Sequence, residues 1–170
     1  DSICHIFSAL STAGFSTKNT SVAGLGSTYA EWVILLIMII GATNFALHFE
    51  LFKGNLKSYI HDEEFKFYSA LLIGMTLIVA WNLFRLDIYS NFFTSLHHAA
   101  FTMGSILTTT GFSSANFETW DSASLVMIVI GMLIGGSAGS TAGALKALRV
   151  LLLGKLAYRE IYRLIHPHAV

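Results

Sequence analysis

Apolar residues in this chain fall in blocks and do not trace the periodic stripe of a water-exposed surface. Trp32 to about Phe52 is a nearly unbroken apolar run, and at about 1.5 Å per residue its ~20 residues cover roughly 30 Å, the thickness of a hydrocarbon core. Thr28 and Glu31 form a Thr-x-x-Glu capping box at its start. Phe65 to Phe84 is a second such run, interrupted only by Lys66 near its edge and closed by Arg85 and Asp87. The connector, Lys53 to Glu64, is hydrophilic, and its acidic end suits a helix start through the macrodipole. The pattern predicts two spanning helices joined by a polar segment.

Shorter segments surround these runs. Asp1 to Leu10 and Tyr89 to Leu107 are short helix candidates, and each delivers the chain to a small polar loop. Leu10 to Thr17 reads Leu-Ser-Thr-Ala-Gly-Phe-Ser-Thr, and Leu107 to Ser114 reads Leu-Thr-Thr-Thr-Gly-Phe-Ser-Ser. The two agree at Leu, Thr, Gly, Phe and Ser, and Ser8 with Ser105 and Asn19 with Asn116 extend the register, so an internal repeat is present. After the second loop, Asp121 can cap a helix beginning around Ser122. Its apolar body, Leu125 to Ile134, reaches only about 15 Å, half a bilayer. Gly135 to Ala144 interrupts it, and helix-forming sequence resumes at Leu145, running through Lys146, Arg149, Lys155, Arg159 and Arg163 to a terminating Pro167. One complete unit is membrane helix, pore helix, loop, membrane helix. Residues 1–53 are a copy lacking its leading helix, and residues 54–166 are the connector and a full copy, both within one pore domain.

Composition sharpens the class. Hydrophobic residues make up 54% and charged residues 12%, about half the usual charged share, so the expected fold is an all-α integral membrane protein. Ten Lys/Arg balance ten Asp/Glu, which gives no case for nucleic acid. The single Cys4 cannot form an internal disulfide. The opening at Asp1, without a basic region or initiator Met, reads as the edge of something longer. Lys53, Lys57 and Lys66 cluster with the basic residues beyond Ala144, opposed only by Lys18 and Arg85. This bias puts the connector and C-terminus in the cytoplasm. Both glycine loops then enter from outside.

Non-helical backbone at membrane depth costs several kcal/mol per unsatisfied group unless it is buried in protein or lines an aqueous path. Lining a path for a cation is one such use: carbonyls replace water around a dehydrated ion, and Thr or Ser hydroxyls add ligands. Gly14 and Gly111 can take positive φ and turn successive carbonyls toward one axis, with Phe15 and Phe112 as props behind the loops. The short preceding helices would aim their negative C-terminal ends at the cavity.

The two glycine loops, the repeated helix, pore helix, helix layout and the Gly-Gly-Ser-Ala-Gly-Ser-Thr-Ala-Gly break resemble the Trk/Ktr/HKT superfamily of potassium transporters, most of all its bacterial Trk-type membrane subunit. That resemblance implies a multi-pass protein of the bacterial inner membrane in which four repeats surround one potassium pathway. It implies a filter strand of Ser11, Thr12, Ala13 and Gly14 in the second repeat, and one of Thr108, Thr109, Thr110 and Gly111 in the third. The remaining two repeats, a second copy in a homodimer and a cytosolic nucleotide-binding regulatory subunit are the implied partners, with K+ as the transported ion and nucleotide entering only through the regulator. Gly135, Gly136, Ser137, Ala138, Gly139, Ser140, Thr141, Ala142 and Gly143 would form an intramembrane gating loop. The competing reading of that stretch is a continuous helix whose Gly131, Gly135, Gly139 and Gly143 form a packing stripe.

No nucleophile, base or metal constellation marks an enzyme, and no metal other than K+ is expected. His97 and His98, adjacent on a helix, point about 100° apart and share a metal poorly. His5 and Cys4 lack metal-ligand spacing. His48 and Glu50, at the inner end of a span, suit snorkelling or an interface contact. Gly139 to Lys146 does not meet the phosphate-loop pattern. Two further function classes remain: an ion-coupled secondary transporter with a glycine-rich occluded site, and a non-conducting assembly subunit.

Overall fold

Of the two long apolar runs, one forms a straight helix and the other breaks. The structure, a computed structural model, describes residues 1–165, so the expected stop at Pro167 lies outside the described residues. In chain order the helices are α1 (Ser2–Leu10), α2 (Thr28–Ala42), α3 (Phe45–Phe52), α4 (Lys57–His61), α5 (Glu63–Arg85), α6 (Phe92–Leu107), α7 (Ser122–Leu133) and α8 (Ala147–Ile165). Short 3₁₀ turns at Ser21–Leu25 and Phe117–Thr119 follow the two glycine loops at matching places.

The second run becomes α5, whose start is set by Asp62: its carboxylate accepts from the Phe65 N–H at 2.6 Å, with Glu63 and Glu64 in the first turn. Its 23 residues are enough to cross a hydrocarbon core. Ile73, Leu77, Ile78 and Trp81 stand exposed along it, a surface suited to lipid and costly in water.

The first run is corrected in two ways. It is capped by Ser27, whose hydroxyl accepts from the Ala30 N–H, and not by the Thr28 and Glu31 box, because Glu31 turns inward and is buried. It also stops at Ala42, and α3 leaves at 99° to α2. Thr43 turns its hydroxyl back onto the Ile39 carbonyl (2.8 Å), and the Asn44 side chain accepts from the Ala46 N–H to start α3. The Gly41 and Ala42 carbonyls, which would continue a helix, instead accept from the N–H groups of Thr141 and Ser137. A tertiary partner has replaced the next helical turn.

Packing forms two cores that share α6. On one side α5, α6 and α7 bury Tyr68, Met75, Val79, Leu83, Met103 and Ile128; on the other, α1, α2 and α6 bury Ala9, Ile34, Leu35, Met38 and Phe101. α6 thus stands at the centre, shared by both cores. Small residues set the closest approaches. A Cβ on Gly41 would lie 2.5 Å from the Leu10 carbonyl oxygen, so the end of α1 rests directly on the backbone of α2.

This contact predicts a contrast in the full-length protein. Gly41→Val should lower the midpoint of thermal unfolding in detergent by several degrees, from a cost of about 1–3 kcal/mol for forcing atoms into a packed site. Gly74→Ala, where a Cβ meets open space in mid-helix, should leave it unchanged or raise it. Equal midpoints for Gly41→Val and wild type would contradict the close approach.

Candidate functional site

The two pore helices end in the same way. At α1, the Thr12 N–H donates to Ala9 and the Ala13 N–H to Ser8; at α6, the Thr109 N–H donates to Ile106 and the Thr110 N–H to Ser105. Each pair is a Schellman closure, in which the left-handed position ordinarily belongs to glycine. Here it holds Thr12 (φ 52) and Thr109 (φ 58). A β-branched residue in that region costs about 1–3 kcal/mol and persists only where its surroundings fix it. Two residues on, Gly14 (φ 72) and Gly111 (φ 85) take the positive φ expected of them.

The hydroxyls explain the threonines. Thr12 Oγ1 donates to the Thr141 carbonyl at 3.0 Å, and Thr109 Oγ1 accepts from the Gly143 N–H at 2.7 Å. Glycine would remove the strain and with it both bonds.

The loops also abut each other: a Cβ on Gly14 would sit 1.9 Å from the Thr110 carbonyl oxygen. Thr108 and Thr110 are buried, and their hydroxyls bond each other at 2.7 Å, so they are not the free ligands that the composition of the loop suggests. The carbonyls differ. Those of Thr12, Ala13, Gly14, Thr109, Thr110 and Gly111 accept no hydrogen bond among the described residues. Past the loops, the Ser113 N–H donates to the Ser21 hydroxyl and the Ala23 N–H to the Ser113 carbonyl, tying one loop's exit to the other's. Phe112 is buried behind its loop as expected, whereas Phe15 is 80% exposed and props nothing.

Beneath the loops lies the segment from Gly135 to Ala144, which is not helical. A helix-long packing stripe is therefore ruled out, and of its glycines only Gly131 sits in α7, against Met103 and Ile106. A bridge between Ile134 and Leu145 pinches the base of the segment shut: the Gly135 N–H donates to Leu145 and the Leu145 N–H to Leu133. The enclosed loop is pinned on three sides. Toward the glycine loops it holds Thr12 and Thr109, and the Thr141 hydroxyl reaches the Leu10 and Gly41 carbonyls. Toward the α2 break, the Gly139 carbonyl accepts from the Phe45 N–H. From α5, the buried Glu64 carboxylate accepts from the Ala138 N–H at 2.5 Å. The Lys146 ammonium donates to the Ala142 and Ser140 carbonyls.

Sequence reasoning missed several of these groups. Glu64 looked like one more acid at a helix start, and nothing in its spacing pointed 74 positions ahead. His5, set aside as a metal ligand, is buried and structural: its Nδ1–H donates to the Asp1 carbonyl, leaving Nε2 to accept from the Ser16 hydroxyl just past the first loop. His48 makes the interface contact expected of it, donating from Nε2 to the Ile40 carbonyl and accepting at Nδ1 from Tyr59 across the bend. Burial raises the Tyr59 phenol above its ordinary value, which keeps it a donor there. His97 and His98 have ring centroids 5.1 Å apart, and α2 sets Glu31 beside them, one ligand atom of each lying within 4.8 Å of the others.

Known proteins share this arrangement. The family model for TrkH, a cation transport protein, matches residues 1–170. The Trk system potassium uptake protein TrkH of Salmonella typhimurium is 37% identical over all of this chain and 35% of its own length. The Trk system potassium uptake protein TrkG of Escherichia coli is 30% identical over all of this chain and likewise 35% of its own. The crystal structure of the potassium transporter TrkH from Vibrio parahaemolyticus superposes with a TM-score of 0.92 at 34% identity, covering 96% of this chain and 36% of that one. The chain thus spans about a third of the length of these relatives. Full-length coverage by the family model, together with the likeness in fold, makes this helical multi-pass membrane chain a member of the TrkH family of cation transport proteins.

Proposed function

We propose that this chain forms two adjacent walls of a potassium pathway, with residues 1–53 and the residues from 54 onward as consecutive quarters of one pore domain. The observation that carries this reading is the repeated loop: two abutting segments, each with a left-handed threonine and a left-handed glycine, and each with backbone carbonyls that accept no hydrogen bond among the described residues of this membrane chain. Unpaired carbonyls there require a substitute partner, and a dehydrated monovalent cation is one. Ser11, Thr12, Ala13 and Gly14, and Thr108, Thr109, Thr110 and Gly111, supply the filter strands, mainly through backbone oxygens. The C-terminal ends of α1 and α6 add their partial negative charge. Potassium as the ion is supported by the relatives, which are potassium uptake proteins.

Gly135 to Gly143 is the gate. In its latched position the loop hangs from Thr12 and Thr109 directly under the filter strands and is held from the cytoplasmic side by Glu64. The Lys146 ammonium, bonded to the loop carbonyls, places a fixed positive charge against a cation leaving the filter. Opening exchanges these bonds for water. The remaining pore repeats, a second copy of the chain and a cytosolic nucleotide-binding subunit complete the machine on this reading.

Two measurements on full-length protein in liposomes test it. Gly111→Ser forces a side chain onto φ 85 and should lower the K+ over Na+ preference of cation flux; an unaltered preference would remove this loop from the filter. Thr109→Ala deletes one bond of about 1 kcal/mol and should raise the open population, and Rb+ flux, about fivefold. Glu64→Leu deletes a charged acceptor worth about 1.5–3 kcal/mol and should raise them more than about tenfold. Flux equal to wild type in both would mean that the loop is not a barrier.

A further inference from the structure

We infer that Glu31, His97 and His98 form a binding site for a first-row divalent metal ion of the Zn2+ class, clamping the pore helix α6 to α2. Glu31 lies one turn into α2, and the two histidines lie side by side in the first half of α6. Each offers one ligand atom, and these atoms lie within 4.8 Å of one another. Glu31 Oε2 and His97 Nε2 are 3.2 Å apart.

What distinguishes the cluster from a chance meeting is that Glu31 Oε2, His97 Nε2 and His98 Nδ1 are each buried and make no hydrogen bond among the described residues, Glu31 Oε2 and His97 Nε2 having only each other as a charged contact. A buried polar atom without a hydrogen bond costs about 1–3 kcal/mol; His98 Nδ1 has none beside the Glu31–His97 contact, and one ion would serve all three. Metal–ligand distances of about 2.0–2.2 Å put tetrahedral ligand atoms some 3.3–3.5 Å apart. The Glu31–His97 pair, at 3.2 Å, is close to that spacing, and closing the site means drawing the three atoms together from within 4.8 Å.

The donors select the ion. Two imidazoles and a carboxylate suit Zn2+ and Co2+, whereas K+, Mg2+ and Ca2+ prefer shells made wholly of oxygen. Both rings are steadied by aromatic neighbours, His97 by Trp32 at 5.1 Å and His98 by stacking on Tyr89 at 4.7 Å. The Glu31 and His97 side chains keep 10% and 12% of their surface, while their ligand atoms are enclosed. Because α2 belongs to one repeat and α6 to the next, an occupied site ties the two together behind the filter.

The test uses metal-free full-length protein in detergent. Titration with Co2+ should give the visible ligand-field absorption of a four-coordinate nitrogen and oxygen site at one ion per chain, displaced by Zn2+. Zn2+ should also raise the thermal midpoint by a few degrees. Glu31→Gln, His97→Gln and His98→Gln should each weaken Zn2+ binding at least about tenfold. Absence of the Co2+ band in wild type would overturn the site without recourse to any variant. Unchanged Zn2+ affinity in His98→Gln would also overturn it, leaving only a Glu31–His97 ion pair.

Discussion

The structure depends on one constraint: backbone N–H and C=O groups at membrane depth need partners, and where helix geometry is given up another segment must supply them. The loop from Gly135 to Ala144 meets that requirement by borrowing. It takes the last carbonyls of α2, the hydroxyls of Thr12 and Thr109 and the carboxylate of Glu64. The α2 break and the α7 interruption are therefore one event, since the carbonyls freed at Gly41 and Ala42 are those that Thr141 and Ser137 use. The glycines of this stretch serve the same end by closeness. A Cβ on Gly135 would come within 2.0 Å of the Gly143 carbonyl oxygen, and one on Gly136 within 2.6 Å of the Ala42 carbonyl oxygen.

The two glycine loops show the complementary solution. Schellman closures satisfy the ends of α1 and α6 and leave the following carbonyls free, and the left-handed residue each closure needs is a threonine, not a glycine. Local strain is accepted so that a hydroxyl can reach the loop below. On the proposed reading, filter and gate are coupled through these two residues: moving the loop releases threonines whose backbone belongs to the ion path.

Much of this was legible in the sequence because it is local or repeated. The 97-position register (111 − 14) between the glycines carries over to the backbone, where Thr12 with Thr109 and Gly14 with Gly111 share their handedness. The span α5, the Asp121 cap and the break after Ile134 were equally visible, each resting on a few neighbouring residues. Long-range partners were not. The bend after Ala42 lies in a mainly apolar run where only Thr43 and Asn44 hint at it, and the carbonyls it frees are taken by a loop some hundred positions later. Glu64 and Glu31 read as helix-start acids, because helix-start chemistry explains an acid without requiring knowledge of what its carboxylate faces. His97 and His98 do diverge on their own helix, and it is α2 that brings the Glu31 carboxylate to them.

The central claim is that the loop latched under the filter is the barrier to ion flow, and the geometry allows it to be locked. A Cβ on Gly143 would lie 4.0 Å from the Thr109 Cβ, within the range of about 3.5–4.5 Å that a disulfide spans. In full-length protein with Cys4 replaced by Ser, Thr109→Cys with Gly143→Cys should lose Rb+ flux on oxidation and regain it on reduction, while either single variant ignores both treatments. Undiminished flux through the oxidised, cross-linked protein would contradict the claim.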